Sequence, residues 1–163
     1  MQKIYIAGPD VFERDSINIG KKYTELCEKY NFIGQYPLDN VIDFNQEKRK
    51  IAQDIFKANE KLIDKSDIVI ANLNSFRGKE ADSGTVWECG YAYAKGKRVY
   101  GYMNSKRSYI EQFELKKEDN GLFWDEKNRF IEDFDYPVNL MIACSTIEIV
   151  EGDFEDVLKL INK

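Results

Sequence analysis

Not one of the 163 residues is histidine. That absence removes Ser-His-Asp and Cys-His nucleophile systems and almost every zinc site. Acid–base chemistry must then come from carboxylates, tyrosine, lysine, cysteine or water. Cysteine is scarce as well. Cys27, Cys89 and Cys144 lie far apart and form no C-x-x-C pair, a pattern that predicts reduced, buried thiols rather than a disulfide framework. No run of 18 apolar residues occurs, and residues 1–8 (MQKIYIAG) enter a strand-like pattern at once, without a signal-peptide layout. A cytoplasmic protein with no membrane partner is the expectation. An excess of positive charge is also missing: 24 basic residues face 29 acidic ones, the net charge is −5, and no basic stripe exists to neutralise a phosphate backbone. Nucleic-acid polymers are therefore not expected as partners. Neither G-x-G-x-x-G nor G-x-x-x-x-G-K-[ST] appears, so dinucleotide and P-loop binding lack their mechanical parts. No cofactor and no metal is expected.

What is present is apolar material in a regular order. With 43% hydrophobic residues, including 10 Phe, 10 Tyr and 2 Trp, the chain can build a core without disulfides or metal, and residues 1–163 read as one domain. Short apolar runs at 3–7, 33–36, 68–72, 98–102 and 148–150 alternate with helical patterns at 16–30, 46–65, 83–96 and 153–162. The order predicts an α/β fold, a Rossmann-like or flavodoxin-like parallel five-stranded sheet flanked by helices. Strand-to-helix loops of such a sheet open at its carboxyl edge, where ligands bind. Three loops should converge there, at 8–12, 37–40 and 72–83. Residues 103–136 break the alternation with mixed charges, Phe113, Phe123, Trp124 and Phe130, and an Asn-Gly turn signal at 120–121. They read as an excursion with a short helix near 107–115 that covers a sheet edge, makes a subunit contact, or acts as a flap over a ligand.

The stretch 81–92, ADSGTVWECGYA, carries two acids into a helix start. Asp82 or Ser83 can serve as N-cap. Glu88 falls within the first turn and a half, where the helix dipole favours an anion, so it stays ionised unless burial wins. Both acids could simply complement that dipole. The company of Val86, Trp87, Cys89 and Ala92 favours a specific partner or task for Glu88. Gly84 and Gly90 would let a ligand or another backbone approach closely, or serve helix packing. In a chain with carboxylates and no histidine, the best-matched chemistry is substitution at an acetal-like carbon through an oxocarbenium-like transition state. A glutamate can attack as nucleophile and give a covalent glycosyl intermediate in a retaining double displacement.

Taken together, IYIAGP at 4–9, SDIVIANL at 66–73, Arg77-Gly78, DSGTVWECGYA at 82–92 and PVNLM at 137–141 resemble the nucleoside 2-deoxyribosyltransferases over nearly the whole chain. The combined D-S-G-T-x-x-E-x-G-x-A and N-L-M blocks are a specific signal; Gly-Pro after a first strand is weak. The resemblance implies transfer of a 2-deoxyribosyl group from a deoxynucleoside donor to a free nucleobase acceptor, without a cofactor. It implies Glu88 as nucleophile, Tyr5 as the residue that orients it and Asp82 as the aspartate that positions substrate. Asn139 would bind the sugar, with Met141 beside it, from an adjacent subunit, so a homo-oligomer built from dimers, commonly a hexamer, is implied too. Phe12 and Asp10 would sit by the base, Phe12 offering a stacking face, though core packing is an equal reading for that ring.

One position departs from the family pattern. Eight residues before Asp67, where several members carry an aspartate thought to protonate the leaving base, stands Asn59, and an amide cannot act as a general acid. Protonation then falls to Asp82, Asp10 or water, or base preference shifts; purine-favouring members share this feature. Two alternatives remain open. A nucleoside or deoxynucleotide N-glycosidase would use water as acceptor, and related monophosphate hydrolases place Ser and Arg in the first loop. Residues 8–12 have neither, and Arg14 alone keeps a 5′-phosphate in play. A non-catalytic nucleotide-binding module is the other alternative.

Overall fold

The structure, a computed structural model, describes residues 1–118 and 120–163. In chain order its elements are β1 (Lys3–Ala7), α1 (Ser16–Lys29), β2 (Ile33–Gln35), α2 (Lys48–Lys65), β3 (Ile68–Asn72), α3 (Ser83–Ala94) and β4 (Arg98–Met103). They continue with β5 (Lys116–Lys117), β6 (Phe123–Trp124), β7 (Phe130–Ile131), α4 (Leu140–Ala143), β8 (Glu148–Glu151) and α5 (Phe154–Ile161). Five strands form one parallel sheet in the order β2-β1-β3-β4-β8. This is the expected sheet, with every predicted strand and long helix within about two residues of its place.

Alternation along the central strands explains the layering. Ile4, Ile6, Ile68 and Ile70 face α1 and α5, where Cys27, Phe154, Val157 and Leu158 complete one core. Tyr5, Ala7, Val69 and Ala71 face the other way, onto Ile63 of α2 and Cys89 and Ala92 of α3. Each fully buried isoleucine adds about 1.5–3 kcal/mol relative to an exposed one, and a one-residue slip in register would exchange the two sets. The α5 helix shows the matching period, with Phe154, Val157 and Leu158 buried. Asp153 caps it by accepting from the Glu155 and Asp156 amides at 2.9 and 3.2 Å. Helix α3 stops at a left-handed Gly96 (φ +70°), where the Lys97 amide returns to the Ala92 carbonyl at 3.0 Å.

The excursion differs from its expectation. Instead of a helix over 107–115 there is a single 3-10 turn, Tyr109–Gln112, followed by an antiparallel sheet β5-β6-β7 that sequence periodicity did not reveal. Strands of two residues are too short to display a period of two. Turn chemistry holds this sheet. Gly121 takes φ +83° between β5 and β6. Between β6 and β7 the buried Asp125 accepts from the Lys127 and Arg129 amides, each at 2.9 Å, and from Arg129 Nε at 2.7 Å. The short α4 helix was also missed, because one turn of LMIA carries no readable period. No helix of the described residues is long and apolar enough to cross a membrane.

Candidate active site

Strand order reverses direction between β1 and β3: the chain leaves β1 toward α1 on one face and leaves β3 toward α3 on the other. A crevice opens at such a switch point. The three loops converge there as expected, around a cavity of about 490 Å³. Gly8, Phe12, Asn59, Asp82, Gly84 and Glu88 all line it.

Glu88 and Tyr5, 83 positions apart in sequence, meet at this crevice. The fully buried Tyr5 donates its phenol proton to Glu88 Oε1 at 2.5 Å. Burial, with the nearby Asp82 and Glu88 charges acting on their neighbours, shapes both groups. Desolvation first, then the Glu88 charge, pushes the Tyr5 phenol far up, so it remains a neutral donor. Desolvation also pushes the Glu88 carboxyl up to about 7; Asp82 adds to the rise and the Tyr5 hydrogen bond opposes it. Burial is thus the stronger influence at Glu88, the exception that the sequence reading allowed for, because the helix dipole fades beyond the first turn. A carboxylate so placed is poorly solvated, has one donor among the described residues and is open to the cavity.

Asp82 turns out to be both cap and wall. Its Oδ2 accepts from the Thr85 amide at 2.9 Å and from Thr85 Oγ1 at 3.1 Å, which fixes the start of α3. Gly84 keeps that carboxylate accessible, since a Cβ there would come within 3.0 Å of Asp82 Oδ2. Across the cavity, Asn59 Oδ1 accepts from Asn40 Nδ2 at 3.2 Å. Phe12, 57% exposed, stacks on Phe76 with centroids 5.5 Å apart.

Four residues that the sequence singled out lie outside this set. Asp10 does not line the cavity; its Oδ2 accepts from Asn72 Nδ2 at 2.9 Å and its Oδ1 from Tyr23 Oη at 3.2 Å. That inward fold requires Gly8, because a Cβ there would sit 2.5 Å from Asp10 Oδ2 and 2.9 Å from Asn72 Cβ. Asn139 caps α4, accepting from the Met141 amide at 3.0 Å, and Met141 is exposed. Neither lines this chain's cavity. Arg14 is exposed and away from the lining as well.

The sequence reading missed much of the apolar side of the cavity: Ile17, Ile42, Phe44 and Ile55, which join Leu38 of the expected 37–40 loop. Ile42 and Phe44 in a loop without period were the available signal. No described residue of 103–136 lines the cavity, so the excursion is not a flap over it. Among the described residues no group of three or more Cys, Asp or Glu is arranged to hold a metal ion.

A family model, nucleoside 2-deoxyribosyltransferase, matches residues 4–141. The chain belongs to that family. A solved 2-deoxyribosyltransferase of Leishmania mexicana superposes with a TM-score of 0.76 at 28% identity, covering 99% of this chain and 97% of the other. A Bacillus psychrosaccharolyticus 2-deoxyribosyltransferase shares the fold at TM-score 0.61 and 21% identity, with 96% and 90% of the two chains covered. A Clostridium botulinum CMP N-glycosidase shares it at 0.51 and 12%, over 99% and 98%. An uncharacterised Schizosaccharomyces pombe protein is 30% identical over 112 residues, 67% of this chain. The chain spans about half the length of that relative, 53%.

Proposed function

We propose that residues 1–163 act as one catalytic domain that moves a 2-deoxyribosyl group between nucleobases by retaining double displacement. The observation that carries this reading is the 2.5 Å bond from Tyr5 to Glu88 beside the cavity. Glu88 attacks C1′ of a deoxynucleoside on the face opposite the base; the C1′–N bond breaks and a deoxyribosyl-glutamate ester forms. Tyr5 holds the attacking carboxylate in one orientation and, as a neutral donor, shares its charge without competing for the proton. Asp82 borders the sugar beside Gly8, whose backbone is bare to the cavity. A second base then attacks C1′ and releases Glu88.

The base occupies the apolar side, between Phe12 and the 38–44 segment, with Asn40 and Asn59 presenting amide groups to its edge. Because Asn59 cannot donate a proton as an acid and Asp10 is engaged by Asn72 and Tyr23, the leaving base takes its proton from Asp82 or from water. Purine rings, which accept a proton at more than one ring nitrogen, fit that arrangement best. Asn139 and Met141, at the exposed start of α4, complete the sugar site of a neighbouring subunit in a homo-oligomer.

Chromatography of the protein with a deoxynucleoside and a different free base tests the reading. The expected product is the exchanged nucleoside, without added cofactor, and Glu88→Ala should lower its rate by at least about 10³-fold while the protein stays folded. Free base and deoxyribose alone would make it a hydrolase. No product from purine and pyrimidine donors alike would favour a binding module, and wild-type rates in a folded Glu88→Ala protein would remove Glu88 as nucleophile.

A further inference from the structure

Phe12 has an exposed position for a cavity wall. It sits on a four-residue 3-10 turn, Pro9–Phe12, and is 57% exposed, so little of its own element holds the ring. Support comes from the loop after β3. Phe76 lies nearly parallel to it, with planes within 15°. Arg77 then lays its guanidinium across both rings, 5.1 Å from the Phe12 centroid and 4.6 Å from that of Phe76.

The backbone is shaped for that contact. Arg77 takes φ +52°, a conformation non-glycine residues seldom adopt. The loop also closes on itself, with Ser75 Oγ donating to the Lys79 carbonyl at 3.0 Å and the Phe76 amide to the Glu80 carbonyl at 2.8 Å. The excursion braces it from outside. Tyr109 donates to the Glu80 carboxylate, and the Lys79 ammonium lies 5.0 Å from the Phe113 ring centroid. Among the described residues no carboxylate pairs with Arg77, so the two rings are its partners.

We propose that Arg77 is a positioning residue: by clamping Phe12 against Phe76 it fixes the wall on which the acceptor base stacks, and so sets whether the glycosyl-enzyme is captured by a base or by water. The inference rests on the transferase reading above. In either capture the C1′–Oε bond breaks and Glu88 leaves as carboxylate. A base forms a new N–C1′ bond and loses its ring N–H proton to solvent; water forms an O–C1′ bond and likewise loses a proton to solvent. Only the first route needs a planar wall at a fixed distance. A loosened Phe12 weakens stacking of the base and admits water to the same carbon.

The test compares wild type, Arg77→Ala, Arg77→Lys and Phe12→Ala, each given a purine deoxynucleoside and an excess of a second free purine. Exchanged nucleoside and free deoxyribose are measured per donor cleaved. Arg77→Ala should lower the ratio of transfer to hydrolysis by about tenfold and raise the acceptor KM. Phe12→Ala should match it, and Arg77→Lys, which keeps the charge but not the planar stack, should fall between. A purely structural role would lower Tm and all rates together; a wild-type ratio in Arg77→Ala, or in Arg77→Lys and Phe12→Ala should the alanine variant not fold, overturns the inference. Exchange by wild type with an unmoved ratio defeats this inference alone, whereas wild type that yields only base and sugar defeats the transferase reading and this inference with it.

Discussion

Two tyrosine–carboxylate pairs flank the carboxyl edge of the sheet, and they differ in how fully the carboxylate is satisfied. On the α2/α3 side Tyr5 donates to Glu88 at 2.5 Å; on the α1/α5 side Tyr23 donates to Asp10 at 3.2 Å. Asp10 has a second donor, Asn72 Nδ2 at 2.9 Å, and the Asn72 Oδ1 in turn accepts from the Asn74 amide and side chain at 3.1 and 2.8 Å. Its oxygens are occupied and turned from the cavity. Glu88 has a single donor among the described residues, stands in a desolvated place and faces the cavity. A carboxylate with both oxygens satisfied holds loops together; one left with an unshared oxygen can attack carbon.

The comparison breaks most sharply at Tyr5. Tyr5→Phe should lower the exchange rate by about 10²-fold, the scale seen when one preorganised donor is lost. It should also shift the rising limb of the kcat/KM profile to higher pH. The sign follows from the proposed attack by the Glu88 anion: on that mechanism activity rises with pH through about 7, and losing the hydrogen bond that favours the anion raises that value further. A profile that does not move would separate Tyr5 from the ionisation of Glu88.

At Asp10 the expected loss is in stability. Asp10→Ala leaves the Asn72 and Tyr23 donors without their acceptor and should cost about 2 kcal/mol, read as a lower urea midpoint. An unchanged midpoint with a rate loss as large as that of Tyr5→Phe would return Asp10 to the substrate site.

The smallest effect is a pH-dependent Tm. Folding raises the Glu88 carboxyl from an ordinary value near 4.5 to about 7, so the folded state binds the proton more tightly. The stability this confers is present below pH 4.5 and is lost as pH rises to about 7. Glu88→Gln, which keeps the neutral form at every pH, should therefore raise Tm by about 3 °C at pH 8 and by little at pH 4. Equal gains at the two pH values would mean that buried charge is not the cost.

The sequence by itself determined what is local and periodic. Alternating apolar runs placed all five strands and the long helices, and the cap that starts α3 was narrowed to Asp82 or Ser83, of which Asp82 fills the place. The lack of histidine narrowed acid–base chemistry to carboxylates, tyrosine, lysine, cysteine or water before any fold was known. Glu88 stood out by its apolar surroundings, but its pairing with Tyr5 was legible only through the family pattern, since a separation of 83 positions carries no spacing signal. Tertiary structure decided the rest. Strand order put β1 beside β3 and so brought Tyr5 under Glu88. A close approach at Gly8 turned Asp10 inward, and the loop after β3 carried Arg77 over Phe12. The reason is physical: periodicity and capping are written within a few residues, whereas desolvation, and with it the raised Glu88 carboxyl, depends on every element packed around the crevice.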